Sequence, residues 1–298
     1  MTQTPLDRAR RSLEGLSVGD AFGERFFERA SLVRTWLERR MAPQLPWRWT
    51  DDTAMAVGIF EVLDRCEAVE ADVLAEIFAR RFVADPTRGY GAMSAAILAA
   101  IGRGGSWRDL SQAAFGGKGS MGNGAAMRVA PLGAYFADDP EQIVSQASAS
   151  AAITHGHVEG RAGAIAVAVA AGFAWLRRAR PDRESGYDML RAVIVQTPAN
   201  ATRDGIECAL ELGFERPVDR AVEALGNGSQ VTAPDTVPFV LWCAARHLDS
   251  YQDALWTTVS GLGDRDTTCA MVGGIVALSA GAGAIAESWL EAREPLPL

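Results

Sequence analysis

Apolar residues recur along this chain at three- and four-residue spacing, and sustained two-residue alternation is absent. The pattern predicts helices over 54–63, 73–82, 92–101, 143–151, 160–176, 187–197, 203–212, 217–225, 236–246, 251–259 and 268–280. Glycine- or proline-bearing joints separate them: Asp85-Pro86, 102–105, 116–124, Asp139-Pro140, Arg180-Pro181, 226–228 and 261–263. No repeat of fixed period and no long biased linker interrupts the series. The expected fold is all-α, a single domain over 1–298 with about a dozen helices.

Two of these segments, 160–174 and 270–283, carry alanine and glycine on most faces. Small residues all round let neighbouring backbones approach closely, which suits central helices and makes their polar exceptions informative. The low-charge stretch 162–176 is shorter than the roughly 20 residues a membrane span requires and reads as a buried core helix. Hydrophobic residues at 48% and charged residues at 22% describe an ordinary globular chain, long enough to bury a sizeable core. A net charge of -8 repels nucleic acid and anionic membrane, so neither is expected as a partner. The N-terminal segment is polar, with no apolar signal region, and the predicted compartment is cytoplasmic. Cys66, Cys208, Cys243 and Cys269 lie far apart without zinc spacing and are expected to be buried, reduced thiols.

Four polar constellations carry the chemistry. Thr50-Asp51-Asp52-Thr53 stands directly before an apolar helical run. Alone it reads as a helix cap, Thr50 capping and the aspartates complementing the helix dipole. A second segment, Gly261 to Thr268, repeats the theme with Asp264, Asp266 and Thr267 at a glycine-loosened helix start. Carboxylate and hydroxyl oxygens are the ligands that hard cations prefer. Were the two clusters to meet, four carboxylates would share one pocket, an arrangement unfavourable unless cations neutralise it. The third segment, Gly116 to Arg128, is a glycine-rich loop that could present N–H groups to phosphates at a helix start. It is neither a Walker loop nor a Rossmann fingerprint. In the fourth, His155-Gly156-His157, one imidazole is expected to donate to a phosphate or ribose and the other to be on the surface or structural.

With Gly19-Asp20-Ala21-Phe22-Gly23 near the start, these segments resemble the ADP-ribosylglycohydrolases, a family that includes the enzyme reactivating ADP-ribosylated dinitrogenase reductase. The order matches: G-D-A-x-G, W-T-D-D-T-x-M, G-N-G-x-x-M-R, T-H, then G-x-D-x-D-T. The resemblance implies a compact all-α fold with a binuclear Mg2+ or Mn2+ centre held by Thr50, Asp51, Asp52, Asp264, Asp266 and Thr267. It implies that Gly122, Asn123, Gly124 and His155 hold the diphosphate and ribose of ADP-ribose, with Met127 and Arg128 also in the substrate motif. The family's usual metal-proximal Glu, four residues after the last glycine of G-D-A-x-G, is replaced here by Phe27, with Glu24 and Glu28 nearby.

The implied reaction is hydrolysis of the glycosidic bond between ADP-ribose and a protein side chain or small derivative, through an oxocarbenium-like transition state. Asp266 is the expected bridge between metals and the acceptor of a proton from the attacking water. Two rivals stand beside this. A helical diphosphate-processing enzyme such as an isoprenoid synthase is weakened by the absence of DDxxD. A non-catalytic, crystallin-like relative would have no reason to cluster carboxylates.

Overall fold

The computed structural model describes residues 3–179 and 185–298. Among them lie sixteen α-helices: α1 (Pro5–Glu24), α2 (Ala30–Arg39), α3 (Asp51–Cys66), α4 (Ala71–Ala84), α5 (Ala92–Ile101), α6 (Trp107–Gly117), α7 (Ala130–Tyr135) and α8 (Pro140–Ala152) come first. After them come α9 (Val158–Arg177), α10 (Gly186–Gln196), α11 (Ala201–Leu212), α12 (Val218–Leu225), α13 (Ala233–Arg246), α14 (Tyr251–Ser260), α15 (Arg265–Ser279) and α16 (Glu287–Ala292). A three-residue 3-10 turn, Asn123–Ala125, precedes α7. Extended pairing among the described residues is limited to two isolated bridges, so the all-helical expectation holds. Each predicted helix has its counterpart; the Arg180-Pro181 joint lies outside the described residues.

The periodicity missed α1, α2, α6, α7 and α16. The omission of α1 matters most, because its packing builds the site. Its interior carries Gly15, Gly19 and Gly23, each costing about 1 kcal/mol of helix propensity against alanine. Those glycines form one stripe at four-residue spacing, facing α15. A methyl group on Gly19 would lie 2.1 Å from the Cys269 carbonyl oxygen, and one on Gly23 would lie 2.2 Å from that of Arg265. Gly15 meets Gly273 in the same way. The two antiparallel helices thus cross backbone to backbone, an approach any side chain would prevent. Gly19→Ala should therefore force α1 and α15 apart, lowering unfolding stability by about 1–3 kcal/mol in a denaturant titration, as overpacking does. A midpoint equal to the parent's would contradict this account of the stripe.

At the centre runs α9, buried on most faces and packed by α7, α8, α10, α13 and α15. It spans 20 residues, longer than the sequence reading allowed, and by length and composition alone it could cross a membrane. What assigns it to the core is burial: 78% of its apolar window is covered by the rest of the chain. All four cysteines are free, as expected, but only Cys243 and Cys269 are buried; Cys66 and Cys208 are half-buried, on helix faces that border the core. Beyond the stripe, the C-terminal end of α1 is anchored by Phe22 and Phe26 among Trp36, Trp47, Trp256 and Trp289.

Candidate active site and metal centre

The sequence places Thr50 as the cap of α3, and its hydroxyl accepts the Asp52 N–H as the motif requires. Asp51 and Asp52 occupy the first turn behind it. At the other cluster Asp264 precedes α15 and Asp266 lies in its first turn, the helix starting a turn earlier than the periodicity suggested. The clusters meet: the Thr267 hydroxyl lies 3.4 Å from Asp52 Oδ2.

A fifth carboxylate joins them. Asp20, on α1 between Gly19 and Ala21, is fully buried. It accepts the Thr50 N–H at 2.9 Å, the Thr50 hydroxyl at 2.9 Å, the Thr53 N–H at 3.1 Å and the Thr53 hydroxyl at 2.5 Å. Asp20 thus pins the N-terminus of α3 from a neighbouring helix. The Gly19–Gly23 motif contains it without marking a role for it. A charged residue among the small residues of a helix was the available signal, and the failure to read α1 as a helix hid it.

Asp51 and Asp52 are buried, while Asp264 and Asp266 are half-buried at a cavity floor. Burial, first, and the neighbouring carboxylates, second, push Asp51 and Asp52 well above the usual range. Burial and Asp266 push Asp264 up to about 7, and burial and Asp20 push Asp266 up to about 6. Asp20 is pushed up to about 6 by burial, against the pull of its threonine bonds. Two oxygens in this cluster, Asp52 Oδ1 and Asp266 Oδ1, are buried without any hydrogen-bond partner. Among the described residues no three His, Cys, Asp or Glu side chains already converge in ligand geometry. The cluster fits divalent cations by its donor chemistry and its orphaned oxygens. As it stands it is not a formed coordination shell.

A cavity of about 930 Å³ opens above Asp51, Asp264, Asp266 and Thr267, within the ~300–1,000 Å³ typical of small-molecule sites. Its far wall is the glycine-rich loop with Met127, His155 and His157. Asn123 lines the cavity too, and its amide donates to Asp264 at 2.7 Å and to the Thr236 hydroxyl at 3.1 Å, tying the loop to the carboxylates. The loop opens only a single 3-10 turn, not a long helix. Its Gly122 and Asn123 N–H groups are taken by the Ser120 hydroxyl and the Val231 carbonyl. The cradle predicted from a helix dipole is therefore reduced.

Arg128 is a correction. Expected among the substrate contacts, it is fully buried and does not line the cavity. Its guanidinium lies over Phe78 and donates to the Ser150 carbonyl and the Thr154 hydroxyl, behind the wall. Burial lowers its pKa to about 9.

Of the two acids that could replace the missing family Glu, Glu24 is the one beside the cluster. It ends α1, and its charge helps to raise the Asp266 pKa. Glu28 is exposed, 3.9 Å from Arg25. Phe27 is also exposed, under the Arg265 guanidinium.

Two wall residues had no sequence signal strong enough to single them out. Phe115 is 56% exposed at the cavity, on a backbone with φ of 52°. A bulky residue held in the left-handed region while exposed to a cavity is a candidate ligand contact. Lys118, the chain's only lysine, is the only Lys or Arg among the residues lining this cavity.

Comparison with known proteins agrees with this architecture. Residues 1–296 match the ADP-ribosylglycohydrolase family, and the chain belongs to it. It is 29% identical to the human protein named ADP-ribosylhydrolase ARH3, over 97% of this chain and 90% of that one. It is 30% identical to an uncharacterized protein of Archaeoglobus fulgidus, over 96% and 91% respectively. A solved structure described as an ADP-ribosylglycohydrolase-related protein complex superposes with a TM-score of 0.65 at 23% identity, covering 98% of this chain and 94% of that one. At that identity it supports the fold alone.

Proposed function

We propose that this protein is a divalent-cation-dependent hydrolase that cleaves the glycosidic bond at ribose C1″ between ADP-ribose and a modified protein side chain or small derivative. The observation that carries the reading is the convergence of five carboxylates, with two orphaned buried oxygens, beneath a ligand-sized cavity. Thr50, Asp51, Asp52, Asp264, Asp266 and Thr267 would hold two Mg2+ or Mn2+ ions, after local side-chain rotation. Such ions, when bound, would orient the ribose hydroxyls and acidify a water.

The chain's own residues divide the remaining work. Asp266, whose Oδ1 has no partner, accepts the proton of the attacking water. Asn123 holds Asp264 in place, and Asp20 holds Thr50 and Thr53. Phe115 offers an exposed ring on which the adenine stacks, beside exposed Met121 and Val231. Lys118 is the cation opposite the diphosphate in a cavity whose other charged residues are all acidic, histidines aside. Water attacks directly, without a covalent intermediate. The name carried by the human relative supports an ADP-ribosyl substrate.

Calorimetry with free ADP-ribose in the presence of Mg2+ tests this reading. The native protein should bind it, and Phe115→Ala should weaken binding by roughly 1–3 kcal/mol, the worth of a base–aromatic stack. Lys118→Ala should raise KM with little change in kcat. Absence of ADP-ribose binding to the native, metal-loaded protein would refute the proposal.

A further inference from the structure

We infer that Arg128, Thr154 and His155 form a hydrogen-bond relay that fixes His155 as the tautomer carrying its hydrogen on Nε2, presented to the cavity beside Gly122 and Gly124. The relay deepens the proposed function, since it rests on a ligand whose phosphate or ribose oxygens need a donor at that point.

The argument begins with what each group can give. A guanidinium has only N–H donors and no acceptor. Arg128 Nη2 donates to the Ser150 carbonyl at 2.9 Å and to Thr154 Oγ1 at 3.0 Å. Met55 Sδ and the Phe78 ring complete its surroundings. The Thr154 hydroxyl therefore acts as an acceptor toward Arg128, and it has one hydrogen left to place. Among the described residues its only other hydrogen-bond contact is His155 Nδ1, at 2.8 Å. Thr154 is buried, so an unplaced hydroxyl hydrogen would forfeit about 1–3 kcal/mol. Arg128 Nε stays without a partner either way, but only the hydroxyl donating to the Nδ1 lone pair leaves neither the Thr154 hydrogen nor Nδ1 unplaced. A neutral imidazole then carries its hydrogen on Nε2.

The geometry aims that hydrogen at the loop. A methyl group on Gly122 or on Gly124 would lie 3.2 Å from His155 Nε2, so the glycines leave this ring edge open to the cavity. Burial and the Arg128 charge push the His155 pKa down to about 3, which keeps the ring neutral. The His157 ring is oriented the same way by a backbone contact. Its Nδ1 accepts the Glu159 N–H at 3.1 Å, which leaves Nε2 as its donor on the same cavity. A ring with the opposite tautomer would turn a lone pair on the ligand's oxygens. Arg128 is thus a positioning residue acting through Thr154, which gives a buried guanidinium behind the wall its purpose.

Nitrogen-15 NMR of the ligand-free protein reads this directly, because the chain has only three histidines. The long-range correlation pattern of His155 should be that of the Nε2–H tautomer, unchanged between about pH 5 and pH 8, above its lowered pKa. Thr154→Val keeps the shape and removes the hydroxyl, so the pattern should shift toward Nδ1–H; Thr154→Ser should preserve it. ADP-ribose affinity should fall about tenfold in Thr154→Val, the worth of one donor to a charged ligand, and stay within about twofold in Thr154→Ser. An Nδ1–H or protonated His155 in the native protein overturns the inference, and so does a native pattern retained in Thr154→Val. Should Thr154→Val fail to fold, the native and Thr154→Ser spectra still decide. Failure of the native protein to bind ADP-ribose would count against the proposed function and leave the tautomer result standing by itself.

Discussion

Stripped of divalent cations, the protein should lose stability as the pH rises from about 4 to about 7, and excess Mg2+ should abolish that loss. Asp20 and Asp266 have folded values of about 6 and Asp264 about 7, against an ordinary 3.8. A carboxyl whose pKa is raised by folding binds its proton more tightly in the folded state. Its stabilising contribution is fully present below the unfolded value and disappears as the pH passes through the folded one. Summed over the cluster, the loss is on the order of a few kcal/mol. Groups lowered by folding act in the opposite direction: surface acids such as Asp85 and Asp253 do so at pH values below this window, while His155, held down to about 3, and His247, also lowered, do so inside it and offset part of the loss. Thermal melts across the range, with chelator and with Mg2+, provide the check. The chelated protein's melting temperature should fall with rising pH relative to the Mg2+-loaded protein's, so that the gap between the two curves widens. A chelated protein that gains stability from pH 4 to pH 7 would contradict the electrostatic account of the site.

Asp266→Asn should lower kcat by a factor on the order of 10²–10⁴, the usual worth of a positioned general base. The carboxamide keeps the shape and removes one ionisable carboxylate from a crowd of five, so the metal-free variant should be more stable than the parent at neutral pH. Activity and apo stability are thereby expected to move in opposite directions, which a variant that merely damaged the fold could not do. Steady-state kinetics alongside chelated melts would show this. A kcat within about tenfold of the parent's, short of that range, would remove Asp266 from the proton transfer.

The parts of the molecule written in local pattern were readable before any coordinates. Apolar spacing located α3, α9 and α15, and the Thr50 cap with its two aspartates stands where the motif put it. Contacts between distant segments were not readable. The α1 helix is signalled locally by Thr4, Pro5 and Asp7, a capping box with proline at the first helical position. Its glycine stripe reads as weak helix propensity until α15 is seen lying against it. Asp20 was lost with that helix, although it is the residue that ties α1 to the start of α3. Arg128 failed for the converse reason. A motif gives the order of residues and not the side of the wall each one faces, and this side chain turned inward to the Phe78 ring. Phe115 depends on one left-handed backbone position within a kinked helix end, which no periodicity reports.

The most direct test of the proposed hydrolase is the release of free ADP-ribose from ADP-ribosylated peptides, followed chromatographically with the metal-stripped protein before and after Mg2+ or Mn2+ is restored. The expected result is no release without cation, release on its return, and none from Asp266→Asn in either condition on the same timescale. Release that proceeds equally well in chelator, or none from any ADP-ribosyl linkage with cation present, would contradict it.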